Sequence, residues 1–238
     1  MLDSSGPFQP NLKASTDSGK PLWNERFSRQ VILPGVGESG QRKWEESSVL
    51  LAGEGTTLQA AITAFSTTGL NKILVLNSED SQGAFSTFQA AGRQMQILPP
   101  GWDALPETSL ALVLTENPAT RREANRAFRA KGRKAIFGWA AGSGFALFAS
   151  DYAKGCPCLE CFEVLNPKAF SKGTSVVQRM VGAAAASETL QWILTGQTAL
   201  LNQVWITSLE TGVSLKHEVH ETYKCPALLM AEGIAITP

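Results

Sequence analysis

Ser48-Val49-Leu50-Leu51-Ala52, Gly53-Glu54-Gly55 and Lys72-Ile73-Leu74-Val75-Leu76 decide the fold of this chain. The first and last are continuous apolar runs, as expected of strands buried on both faces. Between them Leu58, Ala61, Ile62 and Phe65 recur at helical spacing over Thr56 to Thr67, and Gly69 ends the helix. Strand, glycine turn, helix and strand in that order make a βαβ unit of a parallel sheet.

The pattern continues outward from that unit. A strand is expected near Met95 to Leu98 and another at Leu110 to Leu114. Asn117-Pro118 then opens a helix, a capping side chain followed by proline at the first helical position. Its basic residues Arg121, Arg122, Arg126, Arg129 and Lys131 are read as a solvated face. Further strands are expected over Lys134 to Gly138 and Gly144 to Ser150, then an alanine-rich helix over Thr174 to Thr195. Val204 to Leu209 and Val213 to Thr222 read as a closing antiparallel hairpin. The fold class is α/β, a Rossmann-like, doubly wound and mainly parallel sheet with helices on both faces and a C-terminal antiparallel extension. Residues 1–22 read as a flexible tail, and 23–238 as one domain.

Composition excludes several functions. The 238 residues carry 21 Lys+Arg against 21 Asp+Glu, so no bulk charge draws the chain to nucleic acid or to an anionic membrane. No apolar run approaches the roughly 20 residues of a spanning helix. Met1 to Lys20 lacks the apolar centre of a signal peptide, so a cytoplasmic location is expected. In that setting the cluster Cys156, Cys158, Cys161, with Cys225 apart, points to metal or thiol chemistry rather than to a disulfide scaffold.

Several segments together resemble the ThiF/MoeB/HesA family, prokaryotic relatives of the ubiquitin-activating enzymes. They are Arg26-Phe27-Ser28-Arg29-Gln30-Val31-Ile32-Leu33-Pro34 with Gly37-Glu38-Ser39-Gly40-Gln41, the Val49–Gly55 strand and turn, Thr115-Glu116-Asn117 with Thr120-Arg121 and Asn125, Pro157-Cys158-Leu159-Glu160-Cys161, and Cys225-Pro226. The resemblance runs from about Arg26 to Leu228. It implies an adenylate-forming domain that binds ATP and magnesium and activates the C-terminal carboxylate of a small ubiquitin-fold protein or a peptide. It places Gly53, Gly55, Asn77 and Asn117 at the nucleotide and Glu116 at the magnesium ion. It also places Arg29 in the ATP site of a neighbouring subunit, so a homo- or heterodimer is implied.

The departures from the family pattern point the other way. Thr56 and Leu58 replace turn glycines, Glu54 brings a carboxylate where phosphates arrive, and Asn77 replaces a ribose-binding aspartate. No lysine lies between Asn77 and Leu110, although Arg93-Gln94 could be a displaced remnant of the phosphate-contacting stretch. Gly173-Thr174-Ser175 carries no acceptor cysteine. The expected function is therefore a degenerate, catalytically inactive adenylation half that dimerises and donates Arg29 to an active partner. The alternatives are a working adenylyltransferase and a nicotinamide (NAD or NADP) oxidoreductase.

For the cysteines, zinc held by Cys158, Cys161 and Cys225 with Cys156 as the fourth ligand stands beside a reading in which zinc has been lost and the thiols fill space. His217 and His220 are alternative fourth ligands, read first as surface or packing residues. Trp44, Trp139 and Trp192 are expected in the core; Trp23 and Trp102 are loop residues that pack or anchor a partner.

Overall fold

A computed structural model describes residues 27–76, 86, 88, 92–103, 105–155, 157–165, 173–221 and 225–227. Residues 1–22, Trp23, Arg26, Asn77 and Cys156 lie outside these.

The chain begins with a short helix α1 (Ser28–Val31) and α2 (Gly37–Glu46). The sheet unit follows as β1 (Ser48–Gly53), α3 (Gly55–Thr68) and β2 (Lys72–Leu76). Next come β3 (Gln94–Leu98), β4 (Leu110–Leu114), α4 (Pro118–Ala130), β5 (Lys134–Ala141) and β6 (Gly144–Asp151). The remainder is α5 (Leu159–Leu165), α6 (Ser175–Thr195), β7 (Gln203–Ser208) and β8 (Ser214–Glu218). Sheet order is β3-β2-β1-β4-β5-β6-β7-β8. The first five strands are parallel, and β6, β7 and β8 add on antiparallel. This is the expected doubly wound sheet with its antiparallel extension.

Two apolar cores explain why the strands lack alternation. Val49 and Leu51 point into one core with Leu58, Ile62 and Phe65 of α3. Leu50 and Ala52 point into the other with Ala124 and Phe128 of α4. Both faces are covered, so every strand position pays for being polar. Trp44, Trp139 and Trp192 are buried as expected, and Trp102 packs edge-on against Phe128 at 5.7 Å. The hairpin is shorter than expected, because only Ser214–Glu218 pairs with β7.

Helix α6 packs on α3 as well as on the sheet. Its Gly182 permits this, since a Cβ there would overlap the carbonyl oxygen of Thr57 and lie 2.8 Å from Ala60 Cβ. The N-terminal segment closes the amino edge of the sheet. Gln30 Nε2 donates to Thr67 O (2.7 Å), Trp44 Nε1 to Leu190 O (3.0 Å) and Lys43 Nζ to Leu194 O (2.8 Å). Gly40 is demanded by Leu194, whose Cδ1 occupies the space of a Cβ. No helix among the described residues is long and apolar enough to cross a membrane.

Candidate functional site

The turn Gly53-Glu54-Gly55 sits at the carboxyl edge of the parallel strands, where β1 passes into α3. Glycine is required at 53 because a Cβ would overlap Leu114 O of the neighbouring β4, and at 55 because φ is +59°. The first turn of α3 and the end of β4 enclose a cleft of about 420 Å³. Gly55, Thr56 and Thr57 line one wall; Thr115, Glu116 and Gln178 line the other.

Two carboxylates face this cleft, Glu54 and Glu116, and its described lining contains no lysine or arginine. Glu54 makes no side-chain capping bond to α3. Its Oε1 accepts instead from Thr115 Oγ1 at 2.9 Å, and Thr115 Oγ1 in turn accepts from Asn117 N at 3.1 Å. Glu116 Oε1 accepts from Gln178 Nε2 at 2.7 Å. Asn117 caps α4 through Oδ1, which accepts from Ala119 N at 2.9 Å. The N-terminal N–H groups of α3 offer partial positive charge to an anion. Glu54 and Glu116 set two carboxylates against it, so a triphosphate here would need a divalent cation between them. Gln178 went unnoticed in the sequence; its signal is a lone long amide in the first turn of an otherwise alanine-rich helix.

Arg29 and Arg93 lie elsewhere. Arg93 flanks the amino end of β3, its guanidinium 4.9 Å from the Phe27 ring centre, at the opposite edge of the sheet from the turn. Arg29 is exposed on α1, and no hydrogen bond or ion pair ties it to the other described residues. Its neighbour Gln30 is anchored at Thr67, near the far end of α3 from Gly55. At 1.5 Å per residue that places Arg29 roughly 18 Å along α3 from the chain's own turn.

A second constellation lies beside α4. Cys158, Cys161 and Cys225 are buried, and their sulfurs lie within 4.8 Å of one another. Cys158 Sγ is 3.4 Å from Cys225 Sγ and 3.8 Å from Cys161 Sγ. Hydrogen bonding to the Cys161 and Cys225 sulfurs, together with burial, pushes the Cys158 thiol well above its ordinary pKa. Three such groups cannot all ionise without a cation, and a soft divalent metal supplies one. The trio therefore fits zinc. Among the described residues neither His217 nor His220 joins it; both are exposed.

The basic face of α4 is solvated only in part: Arg122 and Lys131 are exposed, but the arginines are held in ion pairs. Arg121 is 3% exposed; it donates to Thr115 O at 3.0 Å, pairs with Glu163 at 3.4 Å and stacks 4.7 Å over Trp139. Burial lowers its pKa despite Glu163. Arg126 grips Glu160 with two bonds of 3.0 and 2.7 Å, Arg122 pairs with Glu163 at 2.7 Å and Arg129 with Glu221 at 2.6 Å. Asn125 is fully buried, its Nδ2 donating to Glu160 Oε1 at 2.9 Å and its Oδ1 accepting from Leu159 N at 3.0 Å and from Tyr152 Oη. The acidic partners come from α5 and the loop after β8, which lie far away in sequence, so a charge count along α4 could not reveal them.

The sheet of order β3-β2-β1-β4-β5 with β6, β7 and β8 appended antiparallel superposes over most of its length on a solved enzyme. The fold is that of MccB. MccB of E. coli, a microcin C7 biosynthetic enzyme solved with MccA, superposes with a TM-score of 0.71 at 15% identity, over 87% of this chain and 75% of that one. MccB has also been solved with ATP. PaaA superposes with a TM-score of 0.66 at 12% identity, over 90% of this chain and 79% of that one. In sequence, the chain is 26% identical over 239 residues to the heterocyst protein HesA of Trichormus variabilis, covering 87% of this chain and 89% of HesA. No family model matches the chain. The likeness to HesA and the MccB fold both support the family resemblance read from the motifs.

Proposed function

We propose that the chain is a member of the ThiF/MoeB/HesA family whose own nucleotide turn no longer adenylates. It acts as the non-catalytic half of a dimer and contributes Arg29 to the ATP site of an intact partner. The observation that carries this reading is the placement of charge. The cleft at Gly53–Gly55 is lined by Glu54 and Glu116 without a cation among its described residues, while Arg29 stands exposed near the far end of α3. Attack on a phosphate gathers negative charge that a cation must meet. Arg29 is intact but remote from the chain's own cleft, which suits service to a neighbouring subunit. The target of the assembled pair is the C-terminus of a small ubiquitin-fold protein or a peptide, and the site of action is the cytoplasm.

One zinc per chain is part of the same reading, held by Cys158, Cys161 and Cys225. Cys156, two residues before Cys158, is the fourth ligand on sequence grounds. A closed thiolate site leaves no open position for chemistry, so the ion's part is structural.

A working adenylyltransferase is the second reading, favoured by Glu116, whose carboxylate is oriented by Gln178 at the cleft, where the resemblance places a magnesium ligand. The test is ATP–pyrophosphate exchange. The isolated chain should give none, and the chain mixed with an intact family member from the same genome should give robust exchange. In that mixture Arg29→Ala should lower turnover by about 10²-fold while the complex still forms. Exchange by the pure chain would overturn the non-catalytic reading. Tryptophan-fluorescence titration with NAD, NADP and ATP separates the nicotinamide rival, which explains the glycine turn but not the likeness to HesA.

A further inference from the structure

Arg129 holds one donor that the contacts described so far leave unused. Its Nη2 donates to Glu221 Oε1 at 2.6 Å, but its Nη1 is buried and has no hydrogen-bond partner among the described residues. An unmet buried donor is destabilising, more so on a charged group, and arginine cannot shed its proton to escape the cost.

Arg129 lies in the neighbourhood of the thiols. Asn125, one helical turn earlier on α4, accepts from the backbone N–H of Leu159, the residue after Cys158. Residues four apart lie on the same face of a helix, so Arg129 sits under that contact. From the other side Glu221, which holds Nη2, precedes Cys225 by four residues. Burial opposes the charge on Arg129, and the bond to Glu221 supports it. Arg126, the other cation near Cys158, is already held by both oxygens of Glu160. Glu221 is 45% exposed, so water shares its charge. The three described thiolates alone leave one net negative charge on a divalent cation, and Cys156 as fourth ligand makes it two; Arg129 is the neighbour with a donor to spare.

We propose that Arg129 is the positioning cation of the thiolate centre: its free Nη1 faces the metal-bound sulfurs, offsets their net charge and sets how firmly zinc is held. This rests on the zinc reading above. The alternative is that Arg129 only pairs with Glu221 and complements the C-terminal end of α4.

Equilibrium competition for zinc against a chromogenic chelator, at fixed pH under reducing conditions, separates the two; circular dichroism checks the fold of each variant. Wild type should hold about one zinc per chain. Arg129→Gln should hold it at least about 10-fold more weakly and release it faster, as loss of an outer-shell partner does. Arg129→Lys keeps the charge and should stay within about threefold of wild type, and so should Glu221→Gln, which removes only the ion pair. Equal affinity in wild type and Arg129→Gln overturns the inference. So does an equal loss in Arg129→Gln and Glu221→Gln. If Arg129→Gln does not fold, the other two variants decide, and a tenfold loss in Glu221→Gln overturns it. Wild type holding far less than one zinc defeats the zinc reading itself and this inference with it, an outcome distinct from a variant effect.

Discussion

The cleft at the carboxyl edge of the sheet and the thiol cluster beside α4 both collect acidic groups, but only one of them is surrounded by cations. Glu54 and Glu116 face open space, steadied by neutral partners, the Thr115 hydroxyl and the Gln178 amide. Cys158, Cys161 and Cys225 are buried, with Arg126 and Arg129 close enough to feel their charge. Ligand chemistry follows from that contrast. A polyanion entering the cleft meets carboxylates, whereas a metal cation entering the cluster meets three buried sulfurs with two arginines nearby. One fold thus carries an open cleft lined by carboxylates at the sheet edge and a buried trio of thiols beside α4.

The largest expected effect tests the cluster side. Stripping zinc, or Cys161→Ser, should cost on the order of 3 kcal/mol and lower Tm by roughly 6–12 °C, because binding energy here is folding energy. Thermal unfolding with and without chelator reads this directly. No change on metal removal would erase the contrast.

A smaller effect should be confined to the other side. Gly182→Val drives a side chain into Thr57 O and Ala60 Cβ, under the wall of the cleft. It should cost about 1–3 kcal/mol by forcing α6 off α3. Zinc content should not change, since the thiols pack in the opposite core. Loss of zinc in this variant would mean the two regions are mechanically coupled.

Within the cleft, Glu54→Gln removes one of the two opposing charges. ATP affinity, measured by calorimetry at low salt, should rise about fivefold, the value of one partly screened unit charge at close range. An unchanged affinity would show that Glu54, turned toward Thr115, is not what repels phosphate. The smallest effect is expected at Arg29. Arg29→Ala should leave stability within about 0.5 kcal/mol of wild type, read by thermal unfolding, since its side chain is exposed and unpaired among the described residues. A larger loss of stability in the isolated chain would assign Arg29 a packing role in place of donation to a partner.

Much of the architecture was legible in short stretches of sequence. Leu110–Leu114 is a strand because five consecutive apolar residues need two buried faces, and the sheet supplies a core on each. Asn117-Pro118 starts α4 where it does because the amide side chain and the fixed proline φ act within a few residues. The ion pairs of the α4 arginines, and the burial of Arg121, escaped the sequence reading for the complementary reason. Their partners Glu160, Glu163 and Glu221 are 34 to 92 residues away, and no local pattern records that they come back to the same helix.

The candidate sites divide along the same line. Cys158 and Cys161 announce a ligand pair by spacing alone, and Cys225 could be suspected from its position after the hairpin. Only the packing of α5 against α4 and the return of the chain after β8 bring the three sulfurs together and leave His217 and His220 outside. Likewise Glu54 was visible as a charge in a glycine turn, but its bond to Thr115, the Gln178–Glu116 pair and the remoteness of Arg29 emerge only in three dimensions. The sequence by itself determined the order of strands and helices and the residue types available for chemistry, because propensity, period and capping act over a few residues. Which charges meet was decided by the tertiary structure, because Coulomb and hydrogen-bond energies depend on distances that the chain sets only after it has folded back on itself.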